Sequence, residues 1–369
     1  MREKELADDW VWIIDHTIQF GEDKVFCIVG VRLSVLQSRS YHLTAEDVEP
    51  LALLPVKKSN GEVVYQQLEA ATAKTGIPRL IVGDHGSDVK KGVDLFCEQH
   101  EETSYIHDIK HKIALLLKKV LEADSHWQEF CQHATAAKLL LTNTALAFVA
   151  PPQQRAKSRY MNLEVLIHWA EYALHFLDNH REQGREDFNK NRLIQKLGWL
   201  ATFRAKLKLW RELFDITSIV EDEVKQRGYS QETPVILRSA LKSSATSVTG
   251  KKLAEQLLDF VSEQALKVKE GEQLLGSSDI IESAFGKLKQ LERNQEKSGF
   301  TALILGLAAL LAPTTPEVIN ASLRSVPTQC VIQWKNENLP RSVQAKRKEA
   351  ISQYRNDQEQ IQDQLLLAA

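Results

Sequence analysis

Trp10-Val11-Trp12-Ile13-Ile14-Asp15, followed after Gly21-Glu22-Asp23 by Val25-Phe26-Cys27-Ile28-Val29-Gly30-Val31, is the stretch from which the rest of the chain can be read. Both runs are continuously apolar and rich in β-branched and aromatic residues, as strands covered on both faces are. The turn-like Gly21-Glu22-Asp23 is short enough to join Trp10–Asp15 and Lys24–Arg32 as a hairpin. Working outward, Val48–Val56 reads as a third strand. Glu62–Lys74 reads as a helix that stops at Gly76-Ile77-Pro78. Arg79–Val82 is a short buried strand, and Asp88–Gln99 is a helix with Ser87 as its N-cap. Tyr105-Ile106-His107 is a fifth, edge-like strand. The expected fold class is α/β, a mixed sheet flanked by helices.

From Ile109 to about Gly271 the period changes to that of helices, with candidates at Lys112–Leu121, Leu163–Phe176, Leu193–Leu213, Val235–Leu241 and Leu253–Val268. Pro151-Pro152 interrupts this stretch, and the basic loop Arg155-Ala156-Lys157-Ser158-Arg159 follows. Ser278–Gln295 reads as a helix, and Phe300–Ala312 as an apolar helix closed by Pro313. The tail Lys335–Leu367 is charged and Gln-rich, the composition of a solvated helix or a partly disordered segment. The expected organisation is a core from residues 1–120 and 272–325, a helical insertion over 121–271, and a charged tail over 326–369.

A chain of 369 residues can bury two such units. Its net charge of −2 neither favours nor excludes a nucleic-acid partner, because a total does not reveal a face. The four cysteines, Cys27, Cys97, Cys131 and Cys330, form no CxxC pair, which argues against a zinc site or a disulfide framework and fits a reducing, cytoplasmic setting. The N-terminus, Met1-Arg2-Glu3-Lys4-Glu5, shows no signal-peptide apolar region. The run Phe300–Pro313 is shorter than the roughly 18–20 residues a membrane-spanning helix needs, so no membrane partner is expected. The 11 histidines show no HExxH, and His107 and His111 lack a neighbouring third ligand. No GxSxG or P-loop is present.

Chemistry concentrates in acids at separated positions. In Asp279-Ile280-Ile281-Glu282-Ser283-Ala284-Phe285-Gly286-Lys287-Leu288-Lys289, Glu282 stands seven residues ahead of Lys289, which puts both on one helix face. Taken alone, Glu282 is an ordinary solvated helix acid. Asp15 closes the first apolar run, where the bland alternative is a strand-end turn acid. Asp84, in Gly83-Asp84-His85-Gly86-Ser87-Asp88, follows a short strand at the carboxyl edge where α/β folds bind ligands. Asp88 competes with it, but its bland role is an early helix acid stabilised by the dipole. Asp108 reads first as a helix N-cap. Asp15, Asp84 and Glu282 are oxygen donors of the kind Mg²⁺ takes, and Lys289 and Lys287 offset phosphate charge. A basic run from Lys190 to Arg211 includes Arg204, Lys206 and Lys208 with Trp199 and Trp210 interleaved and no acid in sequence. It offers phosphate contact and stacking, or else an amphipathic helix with its tryptophans in the core.

The strand and helix order, three strands, helix, strand, helix, strand, is that of an RNase H-like core. The segments Asp15-His16-Thr17-Ile18-Gln19-Phe20-Gly21, Gly83 to Asp88, Asp108-Ile109-Lys110-His111-Lys112, Ser277 to Lys289 and Gly299-Phe300-Thr301 together resemble the bacterial insertion-sequence DDE transposases, over about Trp10 to Leu311. The resemblance implies an RNase H-like core in which Asp15, Asp84 and Glu282 bind two Mg²⁺ ions, with Mn²⁺ as a substitute. The long gap between Asp84 and Glu282 then holds a helical insertion domain. It further implies DNA as partner (transposon ends and target), a homodimeric assembly and a cytoplasmic, nucleoid-associated location. The expected activity is phosphodiester hydrolysis at a transposon end followed by 3′-hydroxyl strand transfer. The alternatives are an RNase H-like nuclease that cuts without joining, and an inactive DNA-binding remnant. Two departures stand out. The tyrosine and arginine that one large branch carries seven and four residues before the glutamate are Leu275 and Ser278 here. The chain begins fourteen residues ahead of Asp15, so the expectation is a copy lacking the N-terminal DNA-binding domain, either truncated or split, or one that depends on another chain for end recognition.

Overall fold

The computed structural model describes residues 4–20, 23–41, 43–153, 163–179, 190–294, 303–311, 315–339 and 343–367. The Gly21-Glu22 turn, the Arg155–Arg159 loop, Gly299-Phe300-Thr301 and Pro313 lie outside the described residues. The chain divides into two compact units, residues 1–106 with 277–369, and residues 107–276.

The first unit is built on a five-stranded mixed sheet in the order β3-β2-β1-β4-β5. The two apolar runs form the expected hairpin, β1 (Trp10–Phe20) antiparallel to β2 (Asp23–Arg32), in one register from Trp10↔Arg32 to Thr17↔Val25 and shifted by a bulge before Phe20↔Asp23. α1 (Leu33–Ser38) follows β2 directly, and β3 (Glu49–Val56) then pairs antiparallel with β2. β4 (Leu80–Gly83) runs parallel to β1, which requires a crossover, and α2 (Gly61–Thr75) supplies it. Asn60 caps α2 by accepting the Val63 N–H at 3.0 Å, and Gly76 ends it at φ 85°, a left-handed conformation that favours glycine. α3 (Ser87–Gln99) leads to β5 (Ser104–His107) at the edge. Ser87 is not the cap of α3. Gly86 occupies that position, and Ser87 is the first helical residue.

Strand alternation sorts the core. Trp10, Trp12, Ile14, Phe26, Ile28 and Ile81 face α2 and α3, packing with Val64, Leu68, Val89, Val93 and Phe96. The alternate residues Val11, Ile13, Val29 and Val82 are equally buried but outside that cluster, so they cover the opposite face.

The second unit is helical: α4 (Ile109–Glu122), α5 (Ser125–Leu141), α6 (Leu163–Asn179), α7 (Lys190–Leu197), α8 (Arg204–Arg227), α9 (Thr233–Ser244) and α10 (Val248–Ala265). Asp108 caps α4, accepting the His111 N–H at 2.8 Å. The single helix expected over Leu193–Leu213 is instead α7, a 3₁₀ segment (Gly198–Phe203) and α8. A 3₁₀ turn eclipses residues three apart, which lets Leu200 and Phe203 both enter the core, Phe203 against the Phe130 ring at 5.5 Å.

The chain then returns to the first unit with α11 (Asp279–Arg293), α12 (Gly306–Leu310), α13 (Pro316–Ser325), α14 (Thr328–Asn338) and α15 (Val343–Leu367). α11 packs along β1 and against α12. Its buried side chains Ile281, Ala284, Phe285 and Leu288 are not part of the α2–α3 core, so α11 covers the sheet face that carries Val11 and Ile13. Among the described residues, no helix is long and apolar enough to cross a membrane.

Candidate functional site

Asp15 lies within β1, not at its end, because β2 is long enough to go on pairing as far as Phe20↔Asp23. What does end at this point is the parallel partner. The β1–β4 ladder runs from Val11↔Leu80 to Ile14↔Gly83, so Asp15 and Asp84 are the next residues on each strand. Adjacent strands lie about 4.8 Å apart, so the two backbones stand side by side at the carboxyl end of β4. Asp15 shares the sheet face of Val11 and Ile13, the one covered by α11, and is half-buried.

The Asp84 carboxylate takes another direction. Its Oδ1 accepts the Gly86 N–H at 3.2 Å, closing a tight turn over the start of α3. A Cβ added to Gly86 would lie 3.3 Å from Asp84 Oδ1 and 3.4 Å from Asp88 Oδ1, so these two carboxylates converge on one glycine. The Asp84 backbone carbonyl accepts the Tyr105 hydroxyl at 2.6 Å. Burial, and then the Asp84 charge, push the Tyr105 pKa upward and keep that hydroxyl a donor.

His16 is a neighbour the sequence reading did not single out. Its Nδ1 stands 3.9 Å from Asp88 Oδ2, its ring packs on Phe26 at 5.1 Å, and its buried Nε2 has no hydrogen-bond partner among the described residues. Burial lowers the His16 pKa, with Lys24 adding to that and Asp88 and Asp84 opposing it, so the ring favours its neutral form. Burial works against ionisation of Asp88, but the nearby Ser59 hydroxyl, His16 and the Val89 N–H together hold its carboxyl below the usual carboxylate range. The available signal was alternation: His16 follows Asp15, so it points to the α2–α3 face, where Asp88 stands in the first turn of α3. Cys27 is the cross-strand partner of Asp15, and burial, then the Asp15 charge, push its thiol pKa well up.

Glu282 sits in the first turn of α11 and is half-buried, while Lys287 and Lys289 are exposed. Lys287 borders a small cavity of about 250 Å³ with Thr44 and Ser283. Among the described residues, no group of three or more His, Cys, Asp and Glu side chains is disposed to hold a metal ion, and Asp15, Asp84 and Glu282 do not form one. As a donor set, three carboxylates suit a hard divalent cation, and the β1–β4 register suits it in the backbone placement of Asp15 and Asp84.

The basic run of the second unit meets acids supplied by other helices. Lys206 Nζ is 3.0 Å from both oxygens of Asp124, Arg204 binds Asp178 at 2.5 Å, and Arg211 pairs with Glu171. Trp210 is fully buried, edge-on to Trp127 at 4.9 Å, and its Nε1 is 3.4 Å from Asp124 Oδ2. Its ring is therefore unavailable for stacking on a base. Trp199 lies stacked on His133 at 4.9 Å. Lys208 remains exposed.

No protein-family model matches this chain, and no curated protein matches it either.

Proposed function

We propose that the first unit is an RNase H-like catalytic core and that the protein is a DNA transposase of the insertion-sequence DDE kind. The observation that supports this reading is the β1–β4 register, which makes Asp15 and Asp84 lateral neighbours at the carboxyl end of β4, with α11, the helix that carries Glu282, packed along β1. Asp15, Asp84 and Glu282 would hold Mg²⁺, or Mn²⁺ in its place. When bound, such ions activate the attacking oxygen and stabilise the leaving one in phosphodiester cleavage. Lys287 and Lys289 would lie against backbone phosphates as point charges, with Lys208 the exposed candidate on the second unit.

Incubation of the full chain with supercoiled plasmid and Mg²⁺ tests the reading. The expected result is nicking that Asp15→Asn reduces by about 10²-fold or more while DNA binding is retained. Undiminished nicking by Asp15→Asn would overturn it. Joined products separate a transposase from a nuclease that only cuts. The competing reading, an inactive DNA-binding remnant, is favoured by the turn of Asp84 toward Gly86 and Asp88. It predicts DNA binding with no metal-dependent cleavage.

A further inference from the structure

The helix α15 (Val343–Leu367) has 25 residues and is about 37 Å long. Its residues 345–356 and 358 are all exposed, including Ile351 at 55 % and Tyr354 at 65 %. A helix draws most of its stability from an apolar face packed on a partner, and this face has none within the chain among those residues. Two patterns along α15 say what covers it. Ile351, Tyr354, Gln358, Ile361 and Leu365 follow one another at spacings of three, four, three and four, the repeat of a coiled-coil seam. Charge is segregated along the same helix. Lys346, Arg347, Lys348 and Arg355 stand in its first half against one acid, Glu349, while Asp357, Glu359 and Asp363 stand in its second half with no base. That is the reverse of what the helix dipole favours: the first turn holds no acid and the last no base.

We propose that α15 pairs with α15 of a second copy of this chain as an antiparallel two-stranded coiled coil. Antiparallel pairing lays the basic half of each helix on the acidic half of the other, and it brings to each helix end the charge that the dipole there attracts. Parallel pairing sets like charge on like along the whole length, and a lone helix keeps its charges opposed to its dipole. The seam takes Ile351 and Tyr354 out of water, and Gln358 in its middle restricts the register, as a single polar seam residue does. The pairing does not depend on the chemistry of the first unit.

Sedimentation equilibrium of the full chain tests this. The chain should be dimeric at about 50 μM in low salt and dissociate on dilution. The double variant Ile351→Ser/Tyr354→Ser, at side chains that the single chain leaves exposed, should be monomeric at the same concentration. Lys346→Gln/Lys348→Gln should weaken the dimer by about tenfold, and raising sodium chloride from about 0.05 to about 0.5 M should weaken it too. A monomeric wild type at about 50 μM would overturn the proposal, as would a dimer indifferent to Ile351→Ser/Tyr354→Ser, which would place the contact elsewhere on the chain. A dimer that salt or the lysine substitutions strengthen would have like charges in contact and would overturn the antiparallel arrangement.

Discussion

Lys206 is the residue at which a nucleic-acid role and a packing role give opposite outcomes. Its Nζ lies 3.0 Å from each Asp124 oxygen, with side-chain exposures of 32 % for the lysine and 16 % for the aspartate. At that distance and an effective dielectric constant of about 20, the gross Coulomb attraction is about 5 kcal/mol. Desolvation and side-chain ordering offset most of it; exposed pairs retain about 0.2–1 kcal/mol, and this partly buried one is expected to retain about 1 kcal/mol. Asp124 does more than its partner. It caps α5 through the His126 N–H at 3.1 Å and receives the Trp210 indole, and loss of a cap costs about 1 kcal/mol on its own. Lys206→Ala should therefore lower stability by about 1 kcal/mol and Asp124→Ala by about 2–3 kcal/mol, with a coupling of about 1 kcal/mol in the double-variant cycle. Burial raises the Asp124 pKa, but Lys206, His126 and Trp210 outweigh it and hold the carboxyl low, in agreement with a favourable pair. Urea unfolding followed by tryptophan fluorescence measures the cycle, and the salt dependence of DNA binding measures the rival role. A phosphate-contacting lysine contributes about 0.9 to the slope of log K against log salt. Unchanged stability of Lys206→Ala, together with a loss of about 0.9 in that slope, would refute the reasoning and return the lysine to the DNA surface.

Glycines give a paired test of packing. A Cβ at Gly276 would fall 2.3 Å from Val224 Cγ1 and 2.6 Å from the Tyr229 ring, so Gly276→Ala should destabilise by about 1–3 kcal/mol in chemical denaturation. A Cβ at Gly286 meets nothing among the described residues within 4 Å, so Gly286→Ala inside α11 should stabilise by about 0.5–1 kcal/mol. Glu212 accepts the Thr246 and Ser247 N–H groups at 2.6 and 2.7 Å, and these outweigh its burial and depress its pKa. Its stabilising effect is fully present above the unfolded carboxyl value of about 4.3 and is lost as pH falls through the lower folded value. The stability gap between wild type and Glu212→Gln should accordingly be widest at neutral pH and close in acid; a gap independent of pH would contradict this. A thiol reagent should label exposed Cys330 first and reach buried Cys27 only on unfolding, which mass spectrometry of labelled peptides can read.

The sheet was legible because its strands are apolar on both sides and its turns are marked by Gly, Pro and Asp. The extent of β1 was not. Past Asp15 the chain turns polar, and only the matching length of β2 keeps His16 and Thr17 in the ladder, a property of the partner strand rather than of the local residues. The nearness of Asp15 to Asp84 followed from both standing at the finish of apolar runs, while the direction of the Asp84 side chain depends on a two-residue turn with Gly86 that no periodicity reports. The acids that meet the basic run, Asp124 at the cap of α5 and Glu171 and Asp178 in α6, lie well upstream in the sequence, so a window over Lys190–Arg211 could not contain them. The break at Gly198–Phe203 likewise answers to the Phe130 ring on another helix.

The first unit is discontinuous in the chain, its sheet translated before the helical unit and α11 after it. During synthesis the hairpin and its neighbours emerge with the Val11–Ile13–Val82 side still bare. At about 5–20 residues per second, that side waits on the order of ten to thirty seconds for its covering helix, while the intervening helices have time to form by themselves. Ribosomal timing thus makes Glu282 the last of Asp15, Asp84 and Glu282 to arrive, well after the sheet that carries the two aspartates has been made.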